Sequence, residues 1–180
     1  MATTTTTSLL LSLLLLVLLS SLLIRPSEST PLLHRRSTKQ NSPEFVGECL
    51  YGHNSLRASL GLPLLQWDTG LAQYAKWWLN QLRATCDLAH STADYGENLF
   101  WGSGSGWTAA QAVAAWAAEE ADYNYGTNSC LQNADCTHYT QMVWKRTTSV
   151  GCAMIKCTTG DTLMACEYSP PGNIIGMWPY

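Results

Sequence analysis

Seven cysteines are the feature that most restricts how this chain can fold. All of them lie between Cys49 and Cys166, and none lies in the N-terminal part. Cysteines placed in this way are typical of a domain that folds in an oxidising compartment and is held together by disulfides. With 180 residues, the chain is long enough for one domain with a hydrophobic core. We therefore expect a single disulfide-linked domain.

The N-terminal segment has the pattern of a secretory signal peptide. A nearly unbroken apolar run covers residues 8–24, and the small residues Ser27 and Ser29 fit the positions before a signal-peptidase cut. We expect residues 1–29 to be removed, so that the mature protein is secreted and keeps no membrane span. The run also reaches the lower limit of a membrane-spanning length, and the residues before it carry no Lys or Arg. An uncleaved anchor is therefore the alternative.

The next segment, residues 30–42, has no apolar periodicity and is expected to be a flexible arm or a propeptide. From Pro43 to the C-terminus, acidic side chains outnumber basic ones, and the whole chain has a formal net charge of −3. An acidic domain is a poor partner for nucleic acid or for an anionic membrane. We expect neither as the main partner.

Helical patterns come first in the domain and strand patterns come last. Ser42 and Pro43 begin a helix that we expect to end at Leu60, and Asp68 caps a second helix that reaches Leu82. A third, Ala-rich helix follows the capping box of Thr108 and Gln111 and is expected to end at Ala121. The segments 150–157 and 162–168 favour an antiparallel hairpin. This order indicates an α+β fold.

Ionisable and aromatic side chains occur together in several stretches, and with the C-terminal segment these make the chain recognisable. The motifs are His53-Asn54, Gly96-Glu97-Asn98-Leu99-Phe100-Trp101, Tyr123-Asn124-Tyr125, His138-Tyr139-Thr140-Gln141-Met142-Val143-Trp144, Gly151-Cys152-Ala153 and the ending from Pro170-Pro171-Gly172-Asn173 to Pro179-Tyr180. The chain resembles the CAP superfamily (cysteine-rich secretory proteins, antigen 5, pathogenesis-related 1) across residues 42–180. The resemblance is strongest to its plant pathogenesis-related 1 branch.

This resemblance implies a three-layer α-β-α sandwich with a central antiparallel sheet and a cleft lined by two His and two Glu. Matched to this sequence, the cleft residues are His53, Glu97, Glu119 and His138. Two imidazoles and two carboxylates are suitable ligands for a weakly bound divalent cation such as zinc, although no cofactor is expected to be required. The alternative is that the four side chains only form structural ion pairs.

The resemblance also pairs Cys86 with Cys157, Cys130 with Cys136 and Cys152 with Cys166, and it leaves Cys49 alone. Cys152 and Cys166 lie at equal distances from Thr159, so a hairpin turning there can place them opposite each other. Cys49 lies on the apolar side of the first helix, so we expect a buried, slowly reacting thiol.

Binding is a better expectation than catalysis because no Ser nucleophile motif is present. The resemblance implies a monomeric plant defence protein, located in the apoplast or a vacuole, that binds a sterol or another lipid. The Gly/Ser segment 102–106 is expected to border the apolar groove that such a ligand needs. A metal-dependent extracellular hydrolase and a purely structural domain are the alternatives.

The last eleven residues fit an ending that, in plant relatives, marks a signalling peptide recognised by a cell-surface receptor. We expect a tail that is docked in the intact protein and is cut between Ser169 and Pro170 after it detaches. The alternative is that Ile174, Ile175 and Trp178 only pack the tail onto the sheet.

Four further residues carry expectations of their own. Glu167 stands where the branch usually has Asn, and Thr137, where Gly is usual, could narrow the cleft. Trp77 and Trp78 are expected to belong to the core, as is Trp116.

Overall fold

The computed structural model describes residues 42–180. The predicted signal peptide, residues 1–29, and residues 30–41 of the predicted arm lie outside the described residues. Within the described part, no helix is both long enough and apolar enough to span a membrane.

The described residues form four α-helices, which begin where the sequence offers a cap or a turn. Helix α1 is Pro43–Ser59, and the hydroxyl of Ser42 accepts a hydrogen bond from the Phe45 amide at its start. Helix α2 is Thr69–Leu82 and α3 is Ala109–Ala118, capped by Asp68 and by the predicted capping box of Thr108. The expected helix to Ala121 ends earlier because a 3-10 turn, Glu119–Asp122, replaces its last part. Helix α4 is Thr137–Met142.

The central sheet has four strands in the order β1-β5-β6-β2. Its two long strands, β5 (Ser149–Lys156) and β6 (Thr162–Ser169), form the predicted antiparallel hairpin. Strand β2 (Gly96–Gly102) pairs antiparallel with β6, whereas β1 (Gln66–Trp67) pairs parallel with β5. Strands β3 (Tyr123–Asn124) and β4 (Ser129–Cys130) form a separate two-stranded sheet.

Each face of the central sheet is covered by helices, so the expected α-β-α layering is confirmed. Alternate β6 residues such as Met164 and Cys166 pack with α1 and α3 side chains, including Val113. The intervening residues, such as Leu163 and Ala165, pack against α2. Helix α2 comes so close to the sheet that a Cβ on Gly151 would collide with the backbone of Ala72.

The structure contains the three disulfides that the resemblance implies: Cys86 with Cys157, Cys130 with Cys136, and Cys152 with Cys166. Cys152 lies directly opposite Cys166 in the β5–β6 register. Cys49 is a free, fully buried thiol.

The tryptophans differ in burial. Trp116 is buried and Trp78 is partly buried, but the expectation of core packing is wrong for Trp77, which is 53% exposed. Trp77 instead lies beside Tyr74 in a surface group of rings.

A buried arginine holds the segment that follows α4. The guanidinium of Arg57, which has no solvent exposure, donates hydrogen bonds to backbone carbonyls of Pro63, Met142, Trp144 and Thr147. These bonds connect α1 to the C-terminal end of α4. Arg57 thus helps to position the helix that carries His138.

Candidate functional site

Glu119 and His138 form a close pair between the 3-10 turn and helix α4. The Nδ1 atom of His138 lies 2.7 Å from Oε1 of Glu119. The other carboxylate oxygen accepts hydrogen bonds from the backbone amides of His138 and Tyr139, at 3.1 and 3.2 Å. The carboxylate therefore also satisfies amides that the short helix leaves free at its first turn.

Two neighbours fix the position of His138. Its ring stacks on the indole of Trp116, with centroids 6.1 Å apart and planes inclined by 12°. The side-chain amide of Asn98 in β2 donates to the backbone carbonyl of His138 at 3.0 Å. His138 is thus held from the helical layer and from the sheet.

Asp135 lies next to Glu119 and His138 and is the third possible metal ligand there. Its carboxylate accepts hydrogen bonds from the hydroxyl and the backbone amide of Thr137, and these bonds, with the nearby His138, hold the pKa of Asp135 below its usual value. Glu119, Asp135 and His138 each offer a ligand atom, and these atoms lie within 4.8 Å of one another. We call these three residues the acidic cluster. Thr137 is exposed and binds one of its members.

Glu97 forms a second carboxylate–imidazole pair, with His90. Oε1 of Glu97 lies 2.6 Å from Nδ1 of His90 and accepts from the Ser91 amide at 3.0 Å. Burial acts to raise the pKa of Glu97, but these hydrogen bonds outweigh it and the pKa is lowered. The hydrogen bond to Glu97 raises the pKa of His90, and the charge of Asp135 contributes in the same direction. Asp135 is therefore in electrostatic reach of His90 as well as of His138.

His53 is part of the buried interior of the domain. It is fully buried, and its Nδ1 and Nε2 atoms lie 2.8 Å from the Cys49 carbonyl and from the Tyr168 hydroxyl. Burial lowers the pKa of His53 to about 4, so the ring is neutral under ordinary conditions. Because both ring nitrogens already have partners, His53 has no free nitrogen to offer a ligand.

Glu167 lies directly opposite Glu97, on the neighbouring strand β6. It is fully buried, and no hydrogen-bond donor among the described residues reaches either of its carboxyl oxygens. Burial, the negative charge of Glu97 and a hydrogen bond from the protonated carboxyl to Glu97 raise the pKa of Glu167 to about 9. Glu167 is therefore neutral at physiological pH.

The structure brings together two of the four expected cleft residues, Glu119 and His138, as possible ligands of one ion. His53 and Glu97 do not join them; Asp135 takes the third place, and His90 is the partner of Glu97. Sequence reasoning missed both residues. Asp135 lies only three positions before His138, and this spacing was a usable signal, whereas the spacing of seven between His90 and Glu97 was not.

The acidic cluster has a donor set that suits a divalent cation. Two carboxylates and one imidazole are ligands that zinc accepts, and three protein ligands leave a coordination position for water. None of the three side chains is fully buried, so an ion could enter from solvent. The arrangement fits an exchangeable ion.

Two apolar grooves lie away from this cluster. The first has a volume of about 370 Å³ and is bordered by the expected loop at Ser105 and Gly106; Phe45, Trp107 and Ile155 supply apolar walls. The second, about 470 Å³, lies between α1 and α3, and small residues such as Ala114 line it. Both volumes are in the range of small-molecule sites.

The C-terminal tail, residues 170–180, is docked, and of the three apolar side chains in the alternative only Trp178 makes a hydrogen bond, from its indole N–H to the Tyr125 carbonyl at 2.9 Å. Ile175 is fully exposed, and Ile174 and Trp178 are 46% and 49% exposed. Hydrogen bonds hold the tail instead, for example from Asn173 to the Thr137 carbonyl at 2.8 Å. The tail therefore lies across α4, beside the acidic cluster.

Comparison with known proteins gives consistent results. The model of the cysteine-rich secretory protein family (CAP) matches residues 50–168. Pathogenesis-related protein PR-1 of Medicago truncatula is 49% identical over 148 residues, which cover 82% of this chain and 84% of that protein. Pathogenesis-related protein 1B of Nicotiana tabacum is 45% identical over 149 residues, which cover 83% and 87%.

Solved structures share the fold. The crystal structure of NaASP2 with Zn²⁺ has a TM-score of 0.67 and 28% identity, and covers 79% of this chain and 87% of its own. Venom allergen-like protein 4 of Schistosoma mansoni has a TM-score of 0.59 and 26% identity, with coverages of 74% and 91%.

Proposed function

We propose that this chain, which belongs to the CAP family of cysteine-rich secretory proteins, is a secreted plant defence protein that binds a sterol or another lipid. We also propose that it carries a releasable C-terminal signalling peptide. Its high similarity to plant pathogenesis-related proteins supports the defence role. The three disulfides fit an extracellular location such as the apoplast.

The first groove is the observation that carries lipid binding. Its walls are mainly apolar, and Glu44, Glu48 and Lys156 are among the residues that line it. An apolar ligand with a small polar group, such as a sterol hydroxyl, matches such a site because the body is removed from water while the polar end can find a partner. The Gly/Ser loop at 102–106 borders the entrance, where glycines such as Gly104 and Gly106 adopt positive φ values.

Titration with a fluorescent sterol tests this proposal. Trp107→Ala removes one wall of the groove and should weaken binding by about tenfold or more. Trp101→Ala is the matched control because Trp101 is 45% exposed and does not line the groove. If only Ala114→Trp, which fills the second groove, abolishes binding, the ligand occupies that groove instead. No binding to the unchanged protein would contradict the lipid proposal.

Peptide release is supported by the position of the tail. Residues 170–180 lie beyond the last cysteine, and Pro170, Pro171 and Pro179 deny the segment a regular ladder or helix. The scissile bond is protected while the tail is docked, because the Ser169 carbonyl accepts from the Thr148 amide at 3.0 Å. Release therefore requires detachment first.

Peptide analysis of the extracellular fluid during pathogen challenge tests the release. A fragment that begins at Pro170 is expected, and the synthetic peptide should elicit a defence response through a cell-surface receptor. Intact C-termini alone, together with an inactive synthetic peptide, would contradict the signalling role.

A divalent cation at the acidic cluster is a further part of the proposal, and it also gives the hydrolase alternative its basis. Asp135, Glu119 and His138 would hold the ion, which would polarise a bound water or carbonyl oxygen. A metal-activated water needs no Ser or Cys nucleophile, so we favour binding on the similarity to plant pathogenesis-related proteins. Peptidase activity that disappears with a chelator would favour the hydrolase.

A further inference from the structure

The tail touches the same short helix that carries His138. Asn173 donates from its side-chain amide to the Thr137 carbonyl at 2.8 Å and accepts from the Thr140 hydroxyl at 2.7 Å. The Gly172 amide donates to the side-chain oxygen of Gln141 at 2.9 Å. Gly172 and Asn173 of the tail thus bind three residues of α4.

The other end of the tail is anchored near the same place. The Tyr139 and Tyr180 hydroxyls lie 3.1 Å apart, and the Lys145 amide donates to the Pro179 carbonyl at 2.6 Å. The ring of Tyr180 also stacks on Tyr125, with centroids 5.0 Å apart. The tail therefore spans α4 from one side to the other.

Helix α4 has little stability of its own. It has six residues, and its N-cap residue, Cys136, makes no side-chain capping bond. An isolated helix of this length is unstable in water, because nucleation costs more than a single turn returns. Its conformation must therefore come from its neighbours, which include Glu119, Asn98, Arg57 and the tail.

The acidic cluster depends on this helix. His138 is its second residue, and Glu119 binds the amides of both His138 and Tyr139. Asp135 is bound to Thr137, whose carbonyl accepts from Asn173. A change of α4 at Thr137 would consequently move two of the three possible ligands.

We propose that the tail is an intramolecular ligand of a surface formed by α4, and that its occupancy of this surface is coupled to the geometry of the acidic cluster. Docking of the tail favours the cluster that binds a cation, and a bound cation in turn slows detachment of the tail. The reciprocity is required because both events bias the same helix. This inference rests on the proposed tail release and cation binding, and it makes the cation a regulator of that release.

Hydrogen exchange of the full-length secreted protein tests the coupling. Asn173→Gly removes both side-chain hydrogen bonds but tolerates the positive φ of 56° at this position. It should speed amide exchange in residues 170–180 and also in residues 137–142, and it should weaken zinc binding by about fivefold or more. Thr140→Val, which removes one of these bonds from the helix side, should act in the same direction.

Ile175→Ala is the control, because Ile175 is fully exposed. It should change neither amide exchange in the tail and α4 nor the affinity for zinc. Zinc should slow exchange of the tail in the unchanged protein. If Asn173→Gly frees the tail but leaves exchange in residues 137–142 unchanged, the coupling is wrong. If zinc fails to bind the unchanged protein, cation binding in the proposed function fails, and exchange in residues 137–142 still decides whether tail and helix are coupled.

Discussion

Glu97 and Glu167 face each other across neighbouring strands, but only one of them has hydrogen-bond donors. Glu97 accepts from the Ser91 amide and pairs with His90, whereas no hydrogen-bond donor among residues 42–180 reaches either oxygen of Glu167. Two carboxyls this close cannot both be ionised without a large cost, so the proton stays on the one that lacks donors. Glu97 is the ionised member.

Glu167→Gln should make the protein more stable at neutral and alkaline pH. The pKa of Glu167 is raised in the folded state to about 9, so the folded protein binds more protons than the unfolded protein between about pH 4.5 and 9. This contribution is complete below pH 4.5 and is lost as the pH rises. The advantage of the variant should therefore grow by roughly 4 kcal/mol between pH 5 and 8 in urea unfolding. A constant difference would show that Glu167 does not titrate in this range.

The same variant should reveal an opposite effect of His53. Its folded-state pKa of about 4 is below the usual value, so the unfolded state binds more protons between about pH 4 and 6.5. In the Glu167→Gln protein, the free energy of unfolding should fall by roughly 2 kcal/mol from pH 6.5 to 4. Adding His53→Gln should flatten this slope. In the unchanged protein, Glu167 and His53 change the free energy of unfolding in opposite directions between about pH 4.5 and 6.5.

Arg57→Met should destabilise the fold strongly. The buried guanidinium donates to four carbonyls, including those of Met142 and Trp144, and its removal leaves them buried without a partner. We expect a loss of about 3 kcal/mol or more in denaturant unfolding. Arg146→Met is the control because Arg146 is exposed, and it should change stability by less than about 0.5 kcal/mol. Equal effects would show that the hydrogen bonds of Arg57 do not stabilise the fold.

The layered fold could be predicted because its signals are local or come with the family resemblance. Ser42, Asp68 and Thr108 cap helices where their side chains suggest, and Cys152 pairs with Cys166 because the hairpin turns midway between them. The end of α3 could not be predicted so well, because the change to a 3-10 turn at Glu119 has no local breaker and accompanies the pairing with His138.

The cleft was harder to predict because the position of a histidine in the sequence does not show whether its side chain is buried. His53 follows an apolar helix face and binds Tyr168, which is 115 residues away in sequence. His90 lies in an irregular segment with no periodicity, and only the folded chain brings it to Glu97. The attachment of the tail was also hard to predict from the sequence. Its apolar residues suggested packing on the sheet, yet hydrogen bonds of Asn173 provide much of the attachment.

Cys49 should react slowly with thiol reagents in the native protein. It is fully buried, and burial strongly raises the pKa of its thiol, so the reactive thiolate is rare. Labelling after denaturation without reductant should give one modified thiol per chain. Cys49→Ser should give none. Rapid native labelling, or a covalent dimer, would contradict the buried free thiol.

Zinc binding should depend on the acidic cluster and not on the second carboxylate–imidazole pair. Asp135→Asn removes a charged ligand but can keep the hydrogen bonds to Thr137, so it should weaken zinc binding at least about tenfold in calorimetry without unfolding the protein. Glu97→Gln is the matched change in the other pair, whose atoms are not part of the cluster, and it should alter the affinity by less than about threefold. The two variants make the same change to net charge, so general electrostatic attraction cannot explain a difference between them. If both weaken zinc binding equally, Glu97 contributes as much as Asp135, and the acidic cluster alone does not hold the ion.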